Sequence, residues 1–185
     1  YTGTVGQVRR NLNCPWASTI SATLSAVKSA LTSPDIPFNE GVKKPIRITA
    51  PKGTLVNPNY PAPVRARMLT AYRCFNAVLK ALAHVVPDRV IADGNDSTDV
   101  TSIAYLDGDR YRVYLEVFGG GYGAGPRLDG CHAVDSPLSN CTNTPVEATD
   151  MDFEHFRIVG YGLIPDSCGH GRRRGGLGFF RSFEI

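Results

Sequence analysis

Apolar positions recur at helical spacing twice in the first half of the chain, then give way to short apolar runs. Between residues 16 and 32, Ile20, Leu24, Val27 and Leu31 fall on one face, with Ser and Thr opposite. That spacing predicts a half-buried amphipathic helix. Pro15 suits its first turn and Pro34 stops it. A longer stripe of Val64, Met68, Ala71, Tyr72, Phe75, Val78, Leu79 and Leu82 predicts a second helix from about Val64 to His84. Arg65, Arg67, Arg73 and Lys80 lie off this stripe, as a solvated basic face does. Between the helices, Ile46-Arg-Ile-Thr49 reads as a strand bounded by Pro45 and Pro51, and residues 57–63 read as a proline-stiffened loop.

The second half predicts strands at Thr101–Tyr105, Tyr111–Phe118, Phe156–Ile164 and Phe179–Phe183. Asp107-Gly-Asp109 between the first two is a hairpin signal. Helices first and strands later predict an α+β fold, two amphipathic helices packed on a mixed, mainly antiparallel sheet with long glycine-rich loops. No repeat or composition shift forces a boundary, so the expectation is a single domain.

The chain has 185 residues, a net charge of +3 and 42% hydrophobic residues. Such a charge does not by itself imply nucleic acid or a membrane as partner. No apolar run reaches bilayer length, and no basic segment leads into an apolar one at the N-terminus. The cysteines, 14, 74, 131, 141 and 168, are odd in number and lack short paired spacings. That pattern fits reduced thiols and a cytoplasmic location better than a disulfide framework. The sequons at Asn95 and Asn140 are then accidental. The chain opens on Tyr1-Thr-Gly-Thr, as a piece of a longer protein would.

Candidate chemistry concentrates in the last third, where glycine is dense beside acids, amides and arginines. The run Gly119-Gly-Gly-Tyr-Gly-Ala124 follows a predicted strand and contains G-x-G-x-x-A. A dinucleotide fingerprint needs a helix next, whose N-terminus holds the pyrophosphate. Here Gly125-Pro-Arg-Leu-Asp-Gly130 follows, which is a turn, and no G-K-[ST] is present. A sharp glycine turn remains, or exposed N–H groups of Gly120 and Gly121 facing a substrate or partner.

Asp129-Gly-Cys-His132 and Asp166-Ser-Cys-Gly-His170 each bring an acid, a thiol and an imidazole together. Neither has the ligand spacing of a zinc site, and nothing selects a Cys/His nucleophile pair. Asn140, Asn143, Thr144 and Glu147 form a polar cluster able to read a substrate amide or carboxylate, or to close a turn on its own backbone. Arg172-Arg-Arg-Gly-Gly176 is a single run followed at once by apolar residues. An anion-binding or salt-bridged turn fits it better than the repeated tracts that bind nucleic acid.

Taken in order, Thr2-Gly-Thr with Gln7, Asn13-Cys-Pro15, Asp35-Ile-Pro-Phe-Asn39 with Gly41, and Gly53-Thr-Leu-Val-Asn-Pro58 form a recognisable series. It continues through Gly119–Ala124, Asp129-Gly130, Asn143-Thr-Pro-Val-Glu147, Asp166-Ser-Cys-Gly-His-Gly171 and Arg174-Gly-Gly176. This co-linear series resembles the B-type subunit of the hydantoinase/oxoprolinase family, ATP-dependent cyclic-amide hydrolases with ketone-carboxylase relatives. It departs from the family where Cys168 replaces a glycine. If that position needs positive φ, cysteine is strained there.

The resemblance implies a C-terminal portion of such a subunit. ATP and Mg would sit on a partner A-type subunit, and a divalent metal, zinc or manganese, in the missing N-terminal portion of the B-type subunit. No metal ligand is carried over to this chain. Phosphorylating the carbonyl oxygen of a lactam, hydantoin or ketone turns that oxygen into a leaving group. The implied catalytic residues are Asp129, Glu147 and Asp166. The implied substrate-binding residues are Gly120, Gly121, His132, Asn140, Asn143, Thr144 and His170. A ketone-carboxylase subunit and a non-catalytic assembly module are the alternatives.

Overall fold

A computed structural model describes residues 1–139 and 141–185, and the chain gathers into two compact units, Tyr1–Ile91 and Ala92–Ile185. The first unit is helical. Helix α1 spans Trp16–Leu31, a single turn α2 spans Glu40–Lys43, and α3 spans Arg67–Leu82. Both long helices lie where their apolar spacing placed them, and α1 packs against α3.

The buried face of α1 is rotated from the apolar stripe: of the stripe Leu24 is buried, while Ile20 and Val27 are half-buried. Thr19, Ala22, Thr23, Leu24, Ala26 and Ala30 are buried, whereas Leu31 is exposed. Small residues let α3 come close with its larger Tyr72, Phe75 and Leu79. The threonines remain compatible with burial because their hydroxyls are satisfied. Thr19 Oγ1 donates to the Val56 carbonyl at 2.7 Å, and Thr23 Oγ1 to the Thr19 carbonyl at 2.7 Å.

The expected strand at Ile46–Thr49 does not form. The segment has no regular structure; the Ile46 N–H donates to Lys43, and the Thr49 carbonyl receives the Tyr1 amino group. The flanking prolines limit the ladder it could make.

Asn13 ties the unit's irregular segments together. It is fully buried, its Nδ2 donates to the carbonyls of Val8 (2.7 Å), Arg10 (3.0 Å) and Pro63 (2.9 Å), and its Oδ1 accepts from the Val8 N–H (2.9 Å). Beside it, burial pushes the Cys14 thiol up. Burial first, and then the neighbouring Cys14, push the Cys74 thiol to about 11. Both therefore stay protonated and behave as small core residues.

The second unit carries the strands. β1 (Asp99–Asp107) and β2 (Arg110–Phe118) form an antiparallel hairpin, closed by Gly108 at φ 57°. That is the positive φ a two-residue hairpin turn requires. β3 (Arg157–Leu163) pairs antiparallel with β4 (Phe179–Glu184) across a bulge between Ile158 and Gly160. A helix that the polar run 140–147 concealed, α4, spans Val146–Asp152 and packs on β3. Asp150 Oδ1 anchors it by accepting the Ile158 N–H at 3.1 Å.

The architecture is thus α+β with antiparallel pairing, as the order of elements predicts. Tyr114 of β2 makes edge contacts to Phe153, Phe156 and Phe183, with ring centroids 4.8–6.0 Å apart, which joins α4 and β4 to the hairpin.

Replacing the buried Asn13 with Ala removes the partner, in part-buried hydrogen bonds, of the Val8 N–H and of the Val8, Arg10 and Pro63 carbonyls. The expected result is a loss of about 2–4 kcal/mol, read as a lower urea midpoint at unchanged slope.

Candidate functional site

The glycines that drew attention in the sequence meet in space as backbone against backbone. Segments 92–95, 119–124, 130–134 and 174–178 lie side by side without forming regular strands. Their links are Ala92 N–H to Ala124 O (2.9 Å), Asn95 N–H to Gly121 O (2.9 Å), Tyr122 N–H to Cys131 O (3.0 Å), Gly176 N–H to Tyr122 O (2.7 Å) and Gly130 N–H to Arg174 O (2.8 Å).

The spacing leaves no room for side chains. A Cβ on Gly176 would stand 1.8 Å from the Cys131 carbonyl oxygen, one on Gly123 1.9 Å from Ala92 O, and one on Gly130 2.0 Å from Tyr122 O. Glycine is required here by close approach rather than by unusual dihedrals.

This layer walls a half-open cleft of about 440 Å³, the size of a small-molecule site. Its lining is mostly backbone, including Gly120 and Gly121. Asp93, Asn95, Tyr122, Ser167, His170 and Arg173 are the lining residues with polar side chains. Burial first, then the Asp135 carboxylate, raises the Tyr122 phenol above its ordinary value, so it stays neutral at pH 7.

The other sequence-derived candidates take different places. Asp129 Oδ1 accepts the Arg174 N–H at 3.0 Å, and the Leu177 N–H donates to His132 Nδ1 at 2.8 Å, so both brace the loop that follows Asp166. Asn143 Oδ1 accepts the Gly119 N–H at 3.1 Å while its Nδ2 donates to the Ala133 carbonyl at 2.9 Å. The Thr144 N–H donates to Glu116 Oε1 at 3.1 Å. Glu147 is exposed in the first turn of α4. Asp166 is exposed at φ 56°. Asn140 lies outside the described residues. Of the candidates, then, Gly120, Gly121 and His170 line the cleft.

Cys168 does not carry the strain that its replacement of glycine suggested. The positive φ falls on Asp166, two residues earlier. Asp tolerates that region better than most residues.

Sequence reasoning missed the centre of this unit. Glu116 and Arg181, 65 residues apart, form an ion pair with side chains 1% and 2% exposed. Arg181 Nη2 also donates to the Thr144 carbonyl at 2.5 Å, and its guanidinium stacks 4.5 Å from the Tyr161 ring. Glu116 Oε2 accepts from the Tyr114 hydroxyl. Burial, followed by that hydrogen bond, raises the Tyr114 phenol. The sequence signal was slight, a lone glutamate in an apolar strand. Buried Asp135 holds the Ser136 N–H at 2.7 Å, close to Gly119.

Among the described residues no three His, Cys, Asp or Glu side chains converge to hold a metal, so no step through a metal is assigned to them. The segment after Gly119–Ala124 is irregular rather than helical, which leaves no helix N-terminus there for a pyrophosphate. No described helix is long and apolar enough to cross a membrane.

An α+β fold that carries a glycine-walled cleft defines the class. The Hydantoinase B/oxoprolinase family model matches residues 1–185, and the chain belongs to that family. An uncharacterized protein of Methanocaldococcus jannaschii is 37% identical over the whole chain. A putative D-/L-hydantoinase chain of the B type, from a Pseudomonas species, is 34% identical over the whole chain. The chain spans 32% of the length of each. The crystal structure of the ATP-dependent caprolactamase from Pseudomonas jessenii superposes with a TM-score of 0.84 at 27% identity, over 98% of this chain and 32% of that one. The nucleotide-free structure of acetone carboxylase shares the fold, with a TM-score of 0.75 at 19% identity over 97% of this chain and 24% of that one.

Two outcomes test this geometry. Gly176→Ala should abolish the cooperative unfolding transition of the second unit or lower its stability by more than about 3 kcal/mol. Gly169→Ala, with nothing within 4 Å of the added Cβ, should shift it by less than about 1 kcal/mol. Arg181→Met leaves Glu116 buried and unpaired, for an expected loss of about 3–5 kcal/mol in chemical denaturation.

Proposed function

We propose that this chain forms part of the B-type subunit of an ATP-dependent cyclic-amide hydrolase. The observation that carries the reading is the family match over residues 1–185, supported by the likeness to a caprolactamase at 27% identity. In this reading the rest of the B-type subunit completes the chain. An A-type subunit supplies ATP and Mg, and a divalent metal is held outside these residues.

An unstrained amide is a poor electrophile, and transfer of a phosphoryl group to its oxygen makes ring opening by water feasible. The contribution assigned to this chain is a water-restricting wall whose backbone N–H groups and few polar side chains hold a small substrate. Gly120, Gly121 and His170 would face it. Asp129, His132, Asn143 and Thr144 would act by holding the loops that make the wall. Asp166 and Glu147 are proposed at the rim, where closure or a partner would bring them to substrate. The location that suits ATP supply and free thiols is the cytoplasm.

The fold shared with acetone carboxylase keeps a ketone carboxylase as the second reading. Co-expression with an A-type subunit tests both. ATP turnover stimulated by hydantoin, 5-oxoproline or caprolactam is the expected outcome. Stimulation only by a ketone with bicarbonate would assign the carboxylase, and no stimulation by either would leave an assembly module. In the active complex Gly121→Ala, which drives a Cβ to 2.3 Å from the Gly176 carbonyl oxygen, should lower kcat/KM at least tenfold.

A further inference from the structure

The loop from Gly169 to Gly175 is built as a closed ring over a defined base. The Gly175 N–H donates to the Gly169 carbonyl at 3.0 Å. Just before the loop, Ser167 Oγ donates to Ile164 O at 2.8 Å and accepts the Gly178 N–H at 2.9 Å. Asp129 engages Arg174 through its N–H at 3.0 Å and, at 4.0 Å, its guanidinium. Of the three successive arginines, Arg174 is thereby occupied. Arg173 lines the cleft and makes no ion pair or side-chain hydrogen bond among the described residues. His170, on the same ring, also lines the cleft and is likewise without a partner there. Both residues are exposed on a braced loop that lines the same cleft as the glycine backbone, and a guanidinium and an imidazole are groups that recognise an oxyanion.

We infer that Arg173 and His170 form an oxyanion subsite of this cleft, taking the carboxylate or phosphoryl group of a small molecule. The inference rests on the reading above, in which the cleft faces substrate. Arg173 donates two N–H groups to the anion and His170 one. Asp93 lines the same cleft and opposes the anion, so it lowers affinity for a bare anion and favours a ligand that also carries an ammonium group. The carboxylate of a ring-opened lactam and the phosphoryl group of an activated one share the required chemistry.

Calorimetric titration of the full chain with inorganic phosphate and with 6-aminohexanoate tests the site. Saturable binding of at least one is expected, weakened about tenfold by Arg173→Gln, unchanged within about twofold by Arg172→Gln, and strengthened for phosphate by Asp93→Asn. Circular dichroism confirms that each variant is folded. Preference for 6-aminohexanoate assigns the subsite to the open-chain product, and preference for phosphate to the phosphorylated species; both support the inference. Absence of saturable binding to the wild-type chain, or an equal loss from Arg172→Gln and Arg173→Gln, overturns it. The ATP-turnover assay on the assembled enzyme is a separate readout. The subsite can therefore fail while the proposed function stands, and the function can fail while anion binding persists.

Discussion

Backbone-to-backbone contact is the constraint on which the second unit depends. Four irregular segments approach so closely that carbonyl oxygens occupy the volume a Cβ would need at Gly121, Gly123, Gly130 and Gly176. Close approach without side chains gives up apolar burial, and each glycine adds conformational entropy to the unfolded chain. The cost is offset by direct N–H to carbonyl bonds between the segments, several at 2.7–3.0 Å. Satisfied backbone here replaces a hydrophobic core locally, so the stability of the wall depends on geometry more than on apolar area.

Such a wall needs an anchor, and the Glu116–Arg181 pair provides it. Burying two charges is costly, and the pair survives because most of their remaining hydrogen-bonding capacity is used by Tyr114, Thr144 and the aromatic faces of Phe118 and Tyr161. The consequence is mechanical. β2, β4 and the chain entering α4 are held at one point, and β2 ends only two residues beyond Glu116, where the glycine run begins. The direction in which Gly119–Ala124 departs from β2 is fixed there, with Asn143 fastening its first N–H.

Period carried the sequence reading where a segment has one, and failed where contact is non-local. The stripe from Val64 to Leu82 located α3, which begins three residues later at Arg67, and Asp107-Gly-Asp109 located the β1–β2 turn. The same logic caught only part of the buried face of α1: Leu24 is buried, but Leu31 is exposed while Ala26 and Ala30 are buried, because close helix packing selects for small residues. It made a strand of Ile46–Thr49 because it cannot see that no partner strand pairs there. The glycines were noticed for composition, but their reason, a clash with a carbonyl tens of residues away, has no periodic trace. Asn143 illustrates the limit best. Its donor and acceptor groups were read correctly, yet spacing alone left open what they bind, and in the structure they bind Gly119 and Ala133.

The division of labour in the cleft follows from these facts. A wall of backbone offers donors and acceptors of fixed position but little chemical variety, so if the cleft binds substrate as proposed, discrimination among ligands would fall to the few residues with polar side chains that line it. Those side chains come from segments 92–95, 122 and 167–173, whose ends are bonded to the glycine layer rather than to the aromatic core. In the proposed reading, substitution at Asp93, His170 or Arg173 would change what is bound without disturbing Tyr114, Phe156 or Arg181. Substitution within the glycine layer cannot, because there the wall and the fold are the same atoms. Proteins that share this fold, as the caprolactamase and acetone carboxylase structures do, would be expected to vary at the first set of positions and to keep the second.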